Sequence, residues 1–140
     1  MTDAEFEVQK KRIEKLRKWW YGALGLGWWL ITYQYVRDGF EVDGERAPNT
    51  VASTHADWRY LHATIQWNIR ALDSKEIGDE ELEGIFVHEV MHIFVNEFRD
   101  GSQQSERTER DALAHEERVC TQLAKAFLWT RDKALKEAKA

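Results

Sequence analysis

The sequence is poor in several features that would point to particular classes of protein. It has one cysteine, Cys120, so no disulfide can form within the chain and a reducing compartment is expected. It also lacks an internal repeat, a low-complexity segment and any sign of a second domain across residues 1–140. Its most apolar stretch, residues 23–32, is shorter than the roughly 20 residues that span a bilayer. The N-terminal residues are too charged for a signal peptide. We therefore expect a single-domain, soluble, cytoplasmic protein.

The composition is that of a globular domain with an aromatic core. Hydrophobic residues make up 43% of the chain and charged residues 32%, and there are seven Trp, six Phe and four Tyr. The net charge of −5 argues against a nucleic-acid partner. One basic cluster, KKRIEKLRK at residues 10–18, has Ile13, Leu16 and Trp20 at helical spacing. It is better explained as the solvated face of an amphipathic helix than as a phosphate-binding arm.

The periodicity of apolar residues predicts an α+β fold. The clearest strand alternates between two faces, as in a sheet with one wet face. Its apolar side has Leu61, Ala63, Ile65, Trp67 and Ile69, and its polar side has His62, Thr64, Gln66 and Asn68. The expected sheet is three-stranded and mostly antiparallel, preceded by an N-terminal helix and followed by two further helices. The predicted elements are a helix at 4–22, a strand around 29–35, a turn or loop at 37–50, short strands at 50–54 and 60–69, a helix from Asp79 as N-cap to about 99–101, a loop at 101–110, and a last helix from Thr108 or Asp111.

The segment VHEVMHIFVNEF, residues 87–98, carries the main chemical signal. His88 and His92 are four apart and project from one face of the predicted helix, so both imidazoles can bind one tetrahedral cation. Glu89 is placed to reach a water at an open metal position and to act as general base. The alternative is an ordinary core helix. That alternative buries two histidines and a carboxylate with no partner, at a cost of several kcal/mol.

The next predicted helix offers His115, Glu116 and Glu117 as a third ligand. A third histidine on the metal helix would indicate a metzincin, but Phe98 occupies that position. With these motifs the sequence resembles the gluzincin zinc metallopeptidases, especially minimal gluzincins and SprT-like single-domain proteins. The resemblance covers most of residues 20–130, and its specific part is His88, Glu89, His92 and the distal glutamate.

The resemblance implies a zincin-like fold, a bound Zn²⁺ ion and a glutamate ligand on the following helix. The family pattern of small and apolar residues after that glutamate favours Glu117, whereas the helical wheel favours Glu116, so both stay open. Thr121 stands where the family usually has Asp and is expected to hydrogen-bond the second ring nitrogen of a histidine ligand. The strand before the metal helix is expected to lie beside the cleft, with an edge that can pair an extended peptide.

A peptidase of this type also needs a donor for the oxyanion of the tetrahedral intermediate. The candidates are His62, on the wet face of its strand, Tyr60 and His55, and each is equally explained as a surface or capping residue. Cys120 has no readable pairing with a histidine, so it is expected to be a small buried side chain rather than a nucleophile.

The sequence therefore predicts a zinc metallopeptidase that acts on a peptide or protein, with no nucleic-acid or membrane partner. Two rival hypotheses remain. One is a catalytically inactive zinc-binding module that serves interaction or assembly on the same fold, and the other is a structural protein with an accidental motif. The identity of the substrate and the oligomeric state cannot be read from the sequence.

Overall fold

A computed structural model describes residues 1–42, 45–102 and 109–139, with only the backbone described at 42, 45–46, 97–102 and 109–112. The helices are α1 (Asp3–Ala23), α2 (Ile69–Ser74), α3 (Asp79–Ser102) and α4 (Glu109–Glu137). The strands are β1 (Leu30–Val36), β2 (Phe40–Val42), β3 (Glu45–Ala47), β4 (Ala52–Asp57) and β5 (His62–Asn68). A 3₁₀ turn at Leu26–Trp28 leads into β1. The α+β class is as predicted.

The three-stranded sheet is mixed rather than mostly antiparallel. Its strand order is β1-β5-β4, so β5 is central and both β1 and β4 lie at edges. β4 and β5 pair antiparallel because a tight turn, with Leu61 at a φ of 51°, joins them as a hairpin. β1 pairs parallel to β5, with Leu30 opposite His62, because the chain crosses over through β2, β3 and β4 before β5 begins. Side-chain periodicity does not encode strand direction, so the sequence prediction was wrong on this point.

One face of the sheet packs on α3, and the other is polar, as the alternation in β5 predicted. Trp67 of β5 and Tyr33 of β1 stack on Phe86 of α3, with ring centroids 6.0 and 6.3 Å away. On the opposite face, Gln66 Nε2 donates to Gln34 Oε1 at 2.8 Å. The buried face therefore fixes α3, which carries the two histidines, against the sheet.

Four local predictions differ from the structure. The predicted loop at 37–50 contains β2 and β3, which pair antiparallel. Asn68 is buried rather than on the wet face, because its side chain caps α2 by accepting a hydrogen bond from Ala71 N at 3.1 Å. Asp79 is the first helical residue of α3 rather than its N-cap, and its carboxylate accepts from Arg12 Nε at 2.8 Å. The predicted loop at 101–110 is helical at its ends, and residues 103–108 lie outside the described part of the chain.

The tryptophans are less buried than an aromatic core requires. Trp20 and Trp67 are buried, but Trp19, Trp28 and Trp129 are 51%, 86% and 65% exposed. The expectation that the tryptophans belong to the core is therefore wrong for these three, which occur near helix ends and in the 3₁₀ turn.

Three helices meet at one half-buried carboxylate. Glu83 of α3 accepts a hydrogen bond from Trp20 Nε1 of α1 at 2.9 Å and pairs with the guanidinium of Arg131 of α4. As predicted for residues 10–18, α1 is amphipathic, with Ile13 buried. The contact at Glu83 joins α4, which carries Glu116 and Glu117, to α3, which carries the two histidines. No helix in the described part of the chain is apolar over a length that would cross a bilayer.

Candidate metal centre

Two elements bring three potential ligands to one point. His88 and His92 lie one turn apart on α3, and Glu117 projects from α4, which packs against α3. His88 Nε2 and His92 Nε2 are 3.1 Å apart, and the Glu117 carboxylate oxygens lie 3.2 Å from His88 Nε2 and 3.3 Å from His92 Nε2. These are the three residues in the described part of the chain whose ligand atoms lie close enough together to share one ion.

The size of this triangle fits a tetrahedral zinc site. Zinc binds histidine nitrogen and carboxylate oxygen at roughly 2.0–2.2 Å, so two ligands at the tetrahedral angle stand about 3.3 Å apart. The three separations, 3.1, 3.2 and 3.3 Å, are close to this value without any rearrangement. The donor set, two imidazoles and one carboxylate, leaves a fourth tetrahedral position open, as catalytic zinc sites do. The residues present therefore fit the ion.

The second ring nitrogens indicate which tautomers the histidines adopt. His92 Nδ1 lies 2.8 Å from Glu116 Oε1, and because a carboxylate can only accept, Nδ1 carries the proton. His88 Nδ1 lies 3.3 Å from Thr121 Oγ1, the contact that the sequence analysis expected of Thr121. A hydroxyl can donate or accept, so this contact is compatible with the tautomer of His88 that carries its proton on Nδ1. In that tautomer both Nε2 lone pairs face each other and the carboxylate of Glu117, and three lone-pair donors at this distance repel one another unless a cation lies between them.

In the metal-free molecule a proton takes that place. Burial alone would lower the pKa of His92, but its hydrogen bonds to Cys120, Glu116 and Glu117 outweigh burial and raise the pKa to about 12. Hydrogen bonds to His88 and, second, to His92 hold the pKa of Glu117 well below its ordinary range. A proton can bridge only two of the three donors, whereas a metal ion binds all three, so the cluster is better matched to a metal.

The chain matches no protein-family model, no curated protein and no solved structure. What the site does must therefore be argued from its own geometry.

Glu116 and Glu117 take different positions, although they are adjacent in sequence. The Glu117 side chain is 58% exposed, and its carboxylate contacts Nε2 of both histidines. The Glu116 side chain is 8% exposed and contacts the other ring nitrogen of His92, Nδ1. Of the two glutamates, Glu117 is therefore the one positioned as a potential ligand, and Glu116 is positioned as a hydrogen-bond partner of His92. His115, the third candidate from the sequence, is exposed and lies outside the cluster.

Glu89 is a buried carboxylate beside the ligand cluster. It is 7% exposed, and burial raises its pKa, although a hydrogen bond and the nearby imidazoles oppose this effect. The hydrogen bond comes from Thr54 of β4, whose Oγ1 lies 2.7 Å from Glu89 Oε2 and 3.0 Å from Glu89 O. Thr54 therefore fixes the position of the carboxylate, and its hydrogen bond opposes part of the rise in pKa that burial causes. No sequence pattern pointed to Thr54, because only the position of β4 beside α3 brings the two residues together.

A cleft of about 620 Å³ opens onto the cluster. Its walls are the whole of β4 on one side and α3 with α4 on the other, and they include His88, His92, Glu89 and Glu117. Among the residues that the structure describes, β4 pairs only with β5, so its other edge is unpaired there and lies beside the site. The sequence predicts this role for the strand just before the helix of the two histidines, which is β5. That expectation is wrong, because β5 is central and paired on both sides.

The predicted oxyanion donors are distributed unevenly around the cleft. His55 of β4 is exposed and lines it, whereas His62 and Tyr60 are exposed but are not among its lining residues. Cys120 is buried, as expected, and contacts His92 rather than the cleft. One cleft residue, Asn96, received no role from the sequence, although its position eight residues after His88 places it on the same face of α3.

Proposed function

We propose that the protein is a zinc-dependent peptidase in which His88, His92 and Glu117 hold the metal and Glu89 is the general base. The observation that carries the proposal is the convergence of two Nε2 atoms and a carboxylate at 3.1 to 3.3 Å, beside a buried glutamate. A purely structural metal site would not need that glutamate, and its four positions would be filled by protein ligands.

The residues divide the work of hydrolysis among them. A zinc ion, when bound, supplies a Lewis acid and a water of lowered pKa. Glu89 takes a proton from the attacking water and returns it to the leaving nitrogen as the C–N bond breaks, giving a carboxylate and an amine. The raised pKa of Glu89, caused mainly by its burial, makes its carboxylate a stronger base than an exposed one. Glu116 and Thr121 hold the imidazole rings in the tautomers that present Nε2.

The shape of the cleft supports a peptide as substrate. An extended chain can add to the free edge of β4 through backbone hydrogen bonds, and the cleft runs along the length of that strand. Thr54 lies in the middle of β4 and contacts Glu89, so a peptide paired with this edge passes beside the general base.

A zinc-binding module without catalysis is the second candidate function. It is favoured by the positions of His62 and Tyr60, two of the three predicted oxyanion donors, which are not among the residues that line the cleft. In such a module the three ligands bind zinc for assembly or recognition, and the role of Glu89 is only to stabilise α3.

Substitution Glu89→Gln separates the two candidates. We expect the variant to keep its zinc while hydrolysis of a panel of quenched fluorescent peptides falls at least about a hundredfold, because proton transfer contributes 10²–10⁴ to the rate. Glu80→Gln is the matched control, since Glu80 is exposed in the first turn of the same helix. Zinc-loaded wild type that cleaves no peptide or unfolded protein would favour the module. Equal activity in Glu89→Gln and wild type would remove Glu89 from the mechanism.

A further inference from the structure

Asn96 is a cleft residue whose side-chain amide nitrogen has no hydrogen-bond acceptor in the part of the chain that the structure describes. It follows His88 and His92 at intervals of four along α3, so it lies on the same face, one turn beyond His92. Asn96 lines the cleft, and its Oδ1 accepts a hydrogen bond from the backbone N of Trp58 at 3.1 Å. Trp58 is the first residue after β4, so this bond joins the metal helix to the end of the edge strand.

The bond to Trp58 fixes the orientation of the Asn96 amide. A backbone N–H can only donate, so the atom of Asn96 that meets it must be the oxygen. The amide nitrogen then carries two hydrogens, and within the residues that the structure describes no group accepts a hydrogen bond from it. The Asn96 oxygen therefore accepts a hydrogen bond from the backbone N–H that follows β4. The amide nitrogen of Asn96 has two N–H donors at the wall of the cleft.

We propose that Asn96 is a substrate-binding residue whose Nδ2 donates to a backbone carbonyl of the bound peptide. The proposal rests on the peptidase function. One helical turn separates Asn96 from His92, or roughly 6 Å between Cβ atoms, and an extended peptide advances about 3.3 Å per residue. The carbonyl it meets therefore belongs to a residue one or two positions from the scissile bond. The proposed contact is to the peptide backbone and adds no preference for a particular side chain.

The alternative is that Asn96 only ties α3 to β4. The substitution Asn96→Asp distinguishes the two roles, because aspartate keeps the oxygen that accepts from Trp58 N but removes both donors. Asn96→Ala removes the tie and the donors together. Asn49→Asp is the matched control, since it makes the same chemical change at an exposed residue outside the cleft walls.

The experiment compares two hydroxamates on zinc-loaded protein by calorimetry. Acetohydroxamate reports binding to the metal alone, and the hydroxamate of N-acetyl-alanyl-leucine adds backbone carbonyls that reach along the cleft. The ratio of their dissociation constants removes any effect of the substitution on the metal itself. We expect Asn96→Asp and Asn96→Ala each to reduce the advantage of the peptidyl compound about three- to tenfold, the usual value of one hydrogen bond, with Asn49→Asp unchanged.

Three outcomes would contradict either the inference or the function on which it rests. If the peptidyl hydroxamate keeps its tighter binding in Asn96→Asp but loses it in Asn96→Ala, Asn96 serves only to link α3 to the end of β4, and the inference is wrong. Wild type that binds both hydroxamates equally would overturn it too. Zinc-loaded wild type that binds neither compound would instead contradict the peptidase proposal on which the inference depends, because the metal would then have no position open to ligands.

Discussion

Removing the carboxylate behind His92 should weaken the metal site without removing a ligand. Glu116 Oε1 lies 2.8 Å from His92 Nδ1, and its side chain is 8% exposed, so this hydrogen bond is made away from bulk water. The bond holds the ring so that Nε2 faces His88 and Glu117, and it makes Nε2 a better electron donor. Loss of such a partner typically lowers metal affinity 10- to 100-fold.

The two substitutions at this position should differ in size. Glu116→Ala leaves His92 Nδ1 with no acceptor and should cost the full 10- to 100-fold, or about 1.4–2.7 kcal/mol of binding free energy. Glu116→Gln keeps an oxygen that can accept from Nδ1 but loses the charge. Because charge-assisted hydrogen bonds are roughly twice as strong as neutral ones, we expect a loss of about three- to tenfold.

The assay is competition for zinc against a chromophoric chelator, with the melting temperature of each metal-free variant measured in parallel. Glu137→Gln, an exposed glutamate near the end of the same helix, is the control and should bind zinc as wild type does. The expected order of affinity is wild type, then Glu116→Gln, then Glu116→Ala. Equal zinc affinity in wild type and Glu116→Ala would refute the role of Glu116, whatever happens to the melting temperature.

Two further predictions concern protons. Thr54→Val removes the hydrogen bond that lowers the pKa of Glu89, so the acid limb of the pH profile of peptidase activity should move to higher pH with zinc content unchanged. An unmoved limb would contradict this role of Thr54. In the metal-free protein, the pKa of His92 is raised from 6.5 to about 12. The stability it contributes is complete below about pH 6.5 and is lost as pH rises towards 12, so the free energy of unfolding should fall between pH 7 and 9. Zinc displaces that proton, so the extra stability from zinc should grow over the same range. Urea denaturation with zinc or with chelator measures both trends, and a zinc increment that is constant with pH would count against the linkage.

The sequence predicted which residues lie close together in the candidate site better than it predicted their surroundings. His88, Glu89 and His92 follow from helical spacing alone, because one regular helix determines where all three point. The choice between Glu116 and Glu117 could not be made that way. Both project towards α3, and only the packing of α4 decides that Glu117 reaches Nε2 while Glu116 reaches Nδ1.

Features that depend on pairing between distant segments could not be read from the sequence. The contact between Thr54 and Glu89 requires β4 to lie at the sheet edge beside α3, and no local pattern specifies a strand order of β1-β5-β4. The parallel pairing of β1 and β5 has the same cause. Asn68 shows a further limit, since its place in an alternating pattern predicted a wet position, whereas its role as the cap of α2 makes it buried.

The most direct test of the metal site is the zinc content of the purified protein. Elemental analysis of wild type and Glu117→Ala, both purified without added metal, should give about one zinc per chain in wild type and a sharp loss in the variant, because Glu117 supplies one of three protein ligands. Wild type that holds no zinc, even after zinc is offered, would contradict the account and leave His88 and His92 as histidines bridged by a proton on a core helix.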